Sequence, residues 1–206
     1  MIELLPYIGL DNQRLMIFVD GENLAIRFAS VLKRREIEVL EMDWYKPNVF
    51  VWHPDLNRPS GVAGVVRKYY YTSLSGDDLL RSRVVACLKA EGIEAPRVFK
   101  KEHGKRTKQV DISLAVDMLL HATRKNFDTA VLIAGDQDYV PLVRAVQSEG
   151  CRVHLWFFND GLSPRLKETV DAFSDVEELF VGRAMNAVSR IASAHARDQA
   201  GIRLRE

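Results

Sequence analysis

Carboxylates follow two of the short apolar runs in this sequence. The run 129–134 (TAVLIA) precedes Asp136 and Asp138, and the run 15–19 (LMIFV) precedes Asp20. Runs of this length and composition are typical of strands that are buried in a parallel sheet. Ligands bind at the carboxyl edge of such sheets, and aspartates at that edge could hold a cation. The alternative for Asp136 and Asp138 is local, because aspartate is also common in turns and at helix N-caps.

A further carboxylate lies early in the segment 109–123, whose apolar spacing predicts a helix. Asp111 falls in the middle of the apolar face of this helix, and Asp117 falls near the edge of that face. The helix dipole favours a negative charge in the first turn, which is a structural explanation for Asp111. A carboxylate turned towards the sheet nevertheless needs a partner, because burying it alone costs several kcal/mol. A metal ion would be such a partner.

These four aspartates are expected to meet at one edge of the sheet. Asp20, Asp136 and Asp138 converge if their two strands are neighbours, and the helix before the second strand would bring Asp111 to the same place. Carboxylates so placed repel one another, by roughly 4 kcal/mol for each pair at 4 Å and an effective dielectric of 20. A divalent cation relieves that repulsion, and an oxygen-rich site without histidine or cysteine suits Mg²⁺ or Mn²⁺. Such sites activate water and stabilise the displacement at a phosphodiester.

Alternating strands and helices indicate an α/β fold with a mainly parallel sheet. Five strands are predicted, at 15–19, 65–72, 97–101, 129–134 and 152–158. Between 35 and 64 the apolar period is lost, which predicts an irregular insertion or lid with at most a short strand at 48–52. The rings in this segment either stack on single-stranded nucleic acid or belong to the core. They are those of Trp44, Tyr45, Phe50, Trp52 and His53.

A cationic cluster leads into the helix that carries Asp111. It comprises Lys100, Lys101, Lys105, Arg106 and Lys108. We expect these side chains to contact phosphates, and the alternative is a solvated loop. The net charge of +1 for the whole chain does not decide between the two, because a binding patch depends on how charge is distributed.

The composition is that of a globular protein of 206 residues, 47% hydrophobic and 28% charged. No apolar run approaches the roughly 18 residues needed to cross a bilayer, and residues 1–10 have no basic region typical of a signal peptide. We therefore expect a cytoplasmic protein without membrane contact.

Cys87 and Cys151 lie in apolar patterns and lack a Cys or His at metal-ligand spacing, which indicates buried thiols in a reducing compartment. A narrow apolar stripe over 176–197 predicts a long helix that packs on the domain or on a second copy of the chain.

Three ordered motifs resemble the NYN domain, of the LabA-like branch of the PIN-like nuclease superfamily. They are FVDGENL at 18–24, KQVDISLAVDML at 108–119 and IAGDQDYVPLV at 133–143. The resemblance covers about residues 14–175, which leaves an N-terminal extension at 1–13 and a C-terminal helix and tail at 176–206. It implies a three-layer α/β/α, PIN-like (Rossmann-like) fold with sheet order 3-2-1-4-5, and a Mg²⁺ or Mn²⁺ site used to hydrolyse RNA.

The resemblance also implies roles for individual residues. Asp20, Asp111, Asp136 and Asp138 would form the acidic cluster, and Asn23 would brace it or contact RNA. Asp117 matches the second aspartate of the helix motif, and Ser163 falls where the family often has a hydroxyl near the site.

The sequence departs from the usual family pattern at three positions. Gln109 stands where glycine is common, and Ala134 and Gln137 replace serines that often flank Asp136. These changes remove no carboxylate, so they bear on substrate positioning rather than on metal binding.

The leading hypothesis is therefore a divalent-metal-dependent ribonuclease acting on single-stranded RNA. The alternative is a regulatory module that binds RNA or a protein and has little or no catalytic activity. The complete acidic set favours the ribonuclease. A phosphatase of the aspartyl-phosphate type fits less well, because Glu22 stands where that chemistry needs a second aspartate.

Overall fold

The computed structural model describes residues 13–59, 64–101 and 109–203. Six parallel strands form its main sheet, and a two-stranded hairpin lies apart from it. The strands are β1 (Leu15–Asp20), β2 (Tyr45–Lys46), β3 (Phe50–Val51), β4 (Val65–Leu74), β5 (Ala95–Lys100), β6 (Thr129–Ile133), β7 (Arg152–Phe157) and β8 (Ala172–Asp175). The main sheet has the order β5-β4-β1-β6-β7-β8, and β2 pairs with β3 in the hairpin.

Helices cover both faces of the main sheet. They are α1 (Gly21–Arg34), α2 (Asp78–Ala90), α3 (Gln109–Thr123), α4 (Val140–Ser148), α5 (Pro164–Thr169) and α6 (Glu177–Arg203). Helices α1, α2 and α6 contribute apolar side chains to the core on one face. Helices α3, α4 and α5 contribute to the core on the other face. The predicted three-layer α/β/α fold with a mainly parallel sheet is therefore confirmed.

The sheet has one strand more than the sequence predicted. Counted in chain order, its first five strands have the predicted order 3-2-1-4-5, and β8 adds a sixth beside β7. The prediction of five strands was wrong because residues 172–175 (AFSD) carry no apolar run and are only partly buried. Pairing of Leu155 with Phe173, rather than local sequence, forms this edge strand.

Strand β1 forms the centre of the fold. All six of its residues are buried, and alternate side chains enter opposite cores, with Ile17 on one face and Phe18 on the other. This is the period of two that a strand imposes on side chains. Parallel pairing with β6 aligns Val19 with Ile133. The carboxyl ends of the two strands that precede the predicted acidic residues are therefore neighbours.

The segment that the sequence presented as an insertion or lid supplies side chains to the core. Trp44, Tyr45, Phe50 and Trp52 are each no more than 8% exposed. Their burial closes these rings to nucleic-acid bases, so the stacking interpretation fails and the core alternative holds. The hairpin is fastened by the hydroxyl of Tyr70, which donates to the carbonyl of Val51 at 3.0 Å. The same hydroxyl accepts from the Val51 amide at 3.1 Å.

Helix α6 is anchored by its first turns. Phe180 and Ala184 are fully buried in the core beneath α1. Arg183 pairs with Glu91 at 2.8 Å, donates to the carbonyl of Trp52 at 2.7 Å and lies over the Trp44 ring. Among the residues that the structure describes, no helix is long and apolar enough to cross a membrane.

Candidate active site

Asp20 lies where β1 ends and α1 begins. Its Oδ1 accepts a hydrogen bond from the backbone N–H of Asn23 at 3.0 Å, which caps α1. Its Oδ2 accepts from the hydroxyl of Tyr139 at 2.9 Å. Asp20 is only 5% exposed, so both carboxylate oxygens are held by protein donors rather than by bulk water.

Glycines allow the strand ends beside the site to pack closely. A Cβ on Gly21 would lie 1.9 Å from Cε1 of Tyr70, and a Cβ on Gly135 would lie 2.3 Å from Cε1 of Phe157. Both separations are far inside van der Waals contact, so these rings can approach only a residue without a side chain. The glycine after Asp20 and the glycine before Asp136 are thus required by packing.

The loop after β6 carries Asp136 and Asp138. Oδ1 of Asp136 accepts from the backbone N–H of Asp138 at 3.2 Å and caps a 3₁₀ turn at Gln137–Tyr139. Of the two aspartates for which the sequence allowed a local turn or capping role, Asp136 is the one that caps this turn. Asn23 joins this loop to the first strand, because its Oδ1 accepts from the backbone N–H of Gly135 at 2.9 Å.

Asp111 lies in the first turn of α3, at the rim of the site. It is exposed, so the expectation that it points into the middle of the buried helix face was wrong. The buried face of α3 is formed instead by Val110, Leu114, Met118 and Ala122. Oδ1 of Asp111 is 3.2 Å from the hydroxyl of Tyr139. The same phenol that binds Asp20 therefore binds Asp111.

The bridging residue, Tyr139, was not among the site residues that the sequence predicted. It is 3% exposed, and burial followed by the charges of the two neighbouring carboxylates raises the pKa of its phenol. The phenol therefore remains protonated and has a single hydrogen to share between Asp20 and Asp111. The signal available in the sequence was its position directly after Asp138.

Two carboxylates of the site, those of Asp20 and Asp111, have raised pKa values. Burial is the main cause that raises the pKa of Asp20 to about 7, and the charges of Asp111 and Glu22 add to it. Partial desolvation, followed by the charges of Asp136, Glu22 and Asp138, raises the pKa of Asp111. Hydrogen bonds from Tyr139 act in the opposite direction on both groups. Asp111 is therefore within electrostatic reach of both Asp20 and the pair Asp136 and Asp138.

Glu22 is a fifth carboxylate near this site that the sequence prediction did not include. Its Oε2 accepts from the hydroxyl of Ser73 at 2.5 Å, and its Oε1 pairs with the ammonium group of Lys101. Glu22 is the second residue of α1, and Ser73 and Lys101 lie at the carboxyl ends of β4 and β5. The pairing places one cation of the predicted cluster at the rim of the acidic site.

Asp117 lies in a different environment. Its Oδ2 accepts from the hydroxyl of Tyr71 at 2.8 Å and is 3.9 Å from Nε of Arg97. Tyr71 belongs to β4, so this pair joins the middle of α3 to the sheet. The structure gives Asp117 no contact with the hydrogen-bonded carboxylates of the site among the described residues.

Ser163 contacts the loop after β6 through its backbone. Its N–H donates to the carbonyl of Gly135 at 3.0 Å, and its hydroxyl accepts from Leu166 N–H at 3.4 Å to cap α5.

Of the predicted cationic cluster, Lys100 is exposed and Lys101 pairs with Glu22. Lys105, Arg106 and Lys108 lie outside the described residues.

The side chains at this site have the oxygen donors that a hard divalent cation prefers. The nearby side-chain oxygens are those of carboxylates, and neighbouring carboxylates add to burial in raising the pKa of Asp20 and Asp111, a repulsion that a cation would relieve. Within the three described ranges, no group of three or more His, Cys, Asp or Glu side chains is arranged so that it could hold a metal ion. Carboxylates would have to turn about their side-chain bonds to share one ion.

Comparison with known proteins identifies the domain. The model of the NYN domain family matches residues 14–177. A crystal structure of a protein of unknown function from Vibrio parahaemolyticus superimposes with a TM-score of 0.57 at 19% sequence identity, covering 80% of this chain and 93% of that one. At this identity the likeness concerns the fold. No curated protein matches the chain.

Proposed function

The chain belongs to the NYN domain family, a PIN-like nuclease-type family, and on this basis we propose that it is a divalent-metal-dependent ribonuclease that hydrolyses phosphodiester bonds of single-stranded RNA. We further propose that it belongs to the LabA-like branch. One observation carries the proposal: a single buried phenol, that of Tyr139, contacts Asp20 at 2.9 Å and Asp111 at 3.2 Å. Carboxylates from β1 and α3 therefore meet beside the loop that carries Asp136 and Asp138.

These four aspartates are the proposed ligands of Mg²⁺ or Mn²⁺. When bound, the cation supplies an activated water and neutralises charge on the phosphate. The protein's own groups hold the carboxylates in place for this. Asn23 ties the end of β6 to the start of α1, and Tyr139 ties Asp20 to Asp111.

The proposed substrate path passes the cationic cluster. An acidic site repels a polyanion, and flanking cations offset that repulsion. Lys101 stands at the rim of the site against Glu22, and it precedes Asp111 of α3 by ten residues in the sequence. We propose that Lys100, Lys101, Lys105, Arg106 and Lys108 contact RNA phosphates on this approach.

The second candidate is a regulatory NYN module that binds RNA or a protein with little or no catalysis. The observation that favours it is that the described acidic side chains are not arranged as a ready metal cage. The two candidate functions differ in how RNA cleavage and RNA binding depend on the metal. A nuclease turns over RNA only with metal, whereas a binding module retains RNA with or without it.

The test is cleavage of end-labelled single-stranded RNA, with single-stranded DNA in parallel, in Mg²⁺, Mn²⁺ or chelator. We expect metal-dependent RNA products from the wild type and none from Asp136→Asn. Asp117→Asn is the matched control, because it removes a carboxylate that is bonded to Tyr71 rather than to the site. RNA that is bound but left intact by pure protein in both metals would favour the regulatory module.

Two further expectations remain proposals. Free thiols at Cys87 and Cys151 support a reducing, cytoplasmic location.

Exposed Met185 and Val188 on α6 support a homo-oligomer through the C-terminal helix. Light scattering coupled to size-exclusion chromatography of the Met185→Glu/Val188→Glu variant tests the latter, because an α6 interface would be lost and an unrelated one would persist.

A further inference from the structure

The hydroxyl of Tyr139 joins two of the proposed metal ligands. It lies 2.9 Å from Oδ2 of Asp20 and 3.2 Å from Oδ1 of Asp111. Neither carboxylate is on the same element as Tyr139 or as the other, since they come from the end of β1 and the first turn of α3. A single side chain therefore contacts carboxylates from two elements at the site.

The backbone of Tyr139 belongs to a third element. It closes the 3₁₀ turn at Gln137–Tyr139, where its N–H donates to the carbonyl of Asp136 at 3.3 Å. Asp136 and Asp138 thus precede Tyr139 by three residues and one residue in the same turn. Tyr139 is therefore bonded to the Asp20 and Asp111 carboxylates through its hydroxyl, and through its backbone it shares one turn with Asp136 and Asp138.

The ring of Tyr139 is well suited to hold that hydroxyl in place. It is 3% exposed and packs in the core between the sheet and helices α3 and α4. A buried phenol has few rotamers, so its oxygen is fixed more firmly than the end of a long surface side chain. The orientation of the Asp20 carboxylate depends on this hydroxyl, because the Asn23 N–H binds only its Oδ1 and Tyr139 binds its Oδ2.

We propose that Tyr139 is a positioning residue for the metal centre, whose hydroxyl holds Asp20 and Asp111 in the orientation from which they bind a divalent cation. The inference rests on the proposed metal-dependent function. It assigns to Tyr139 the orientation of the metal-binding carboxylates, which those carboxylates do not provide for themselves. Hydrogen bonds to ligating carboxylates orient them, and loss of such a partner weakens metal affinity by about 10- to 100-fold.

The test is the affinity of the Tyr139→Phe variant for Mn²⁺, measured without RNA by electron paramagnetic resonance of the free ion. Phenylalanine keeps the buried ring and removes only the hydroxyl. We expect the dissociation constant to rise at least about 10-fold. Tyr71→Phe is the matched control, because it also removes a hydroxyl that donates to an aspartate of α3, namely Asp117 at 2.8 Å. Its Mn²⁺ affinity should equal that of the wild type.

The Mn²⁺ affinities of the wild type and the two variants distinguish failure of the positioning role from failure of the proposed nuclease function. Wild-type Mn²⁺ binding with unchanged or tighter binding by Tyr139→Phe overturns the positioning role and leaves the nuclease standing. An equal loss in Tyr71→Phe also overturns it, because the effect would then be a general one of lost packing. Absence of Mn²⁺ binding by the wild type overturns both the inference and the metal dependence of the proposed function.

A measurement on the unmodified chain covers the case in which Tyr139→Phe does not fold. In protein labelled with ¹³C at tyrosine Cζ, addition of Mg²⁺ should shift the signal of Tyr139, because its two acceptors become metal ligands. The signal of Tyr71 should stay in place. Saturating Mg²⁺ binding without a shift at Tyr139 contradicts the proposal.

Discussion

Replacing Asp20 by asparagine should stabilise the metal-free protein above neutral pH. Burial raises the pKa of Asp20 from 3.8 to about 7, so the folded state binds this proton more tightly than the unfolded chain does. As pH rises from 3.8 to about 7 the folded state holds more protons than the unfolded state, and its free energy of unfolding therefore falls. Above that window Asp20 is charged in both states and the destabilisation is complete.

The size of the effect follows from the shift. About 3 pKa units at roughly 1.4 kcal/mol per unit give a penalty of about 4 kcal/mol for the charged carboxylate at pH 8. Of this, about 3 kcal/mol develops above pH 5. Asparagine has no such charge and keeps an oxygen to accept from the Asn23 N–H, while its amide group can donate to the phenol oxygen of Tyr139.

The assay is urea unfolding in chelator at pH 5 and at pH 8. The difference in unfolding free energy, Asp20→Asn minus wild type, should grow by about 3 kcal/mol between the two pH values. Asp117→Asn, which removes a carboxylate bonded to Tyr71 outside the site, is measured in parallel to show that the effect belongs to Asp20. A difference for Asp20→Asn that is the same at both pH values would refute the account of Asp20 as a buried, destabilising charge.

Three more predictions follow from the packing and charge of the domain. Gly21→Ala should lower the free energy of unfolding by about 3 kcal/mol in urea, because its Cβ would lie 1.9 Å from a ring atom of Tyr70; an unchanged midpoint would contradict this packing. Arg183→Met should cost about 3–5 kcal/mol by leaving a largely buried carboxylate unpaired, while cleavage per folded molecule stays at the wild-type rate. Lys105→Ala/Arg106→Ala should raise KM more than it lowers kcat and reduce the log–log salt slope of RNA binding by about 0.7 for each lost phosphate contact; unchanged affinity and slope would mean a solvated loop.

Strong local signals predicted the fold well. Helix α3 has the predicted bounds, 109 to 123, because its apolar spacing is regular over four turns. The order of the first five strands followed from the family resemblance, and the pairing of β1 with β6 bears it out. Strand β8 was missed because its four residues, three partly buried and one exposed, include a single aromatic side chain and give no strand signal of their own. The strand forms by pairing with β7.

Properties that depend on distant partners could not be predicted. The rings of Trp44 and Trp52 are core residues because α1, α6 and Tyr70 enclose them, and nothing between 35 and 64 indicates that enclosure. The positions of Asp20 and Asp136 followed from strand ends, which the sequence does show. Tyr139 joins two carboxylates that lie 119 and 28 residues away in the chain, so its role becomes visible only in three dimensions.

Asp20, Asp111 and the loop of Asp136 and Asp138 are proposed to form a metal centre. The most direct test is a crystal structure of the full chain in Mn²⁺, with anomalous scattering used to locate the ion. The account predicts an anomalous peak about 2.0–2.3 Å from carboxylate oxygens of Asp20 and Asp111, with the Tyr139 hydroxyl beside them. No peak there at saturating Mn²⁺, or a peak only at other carboxylates, would contradict it.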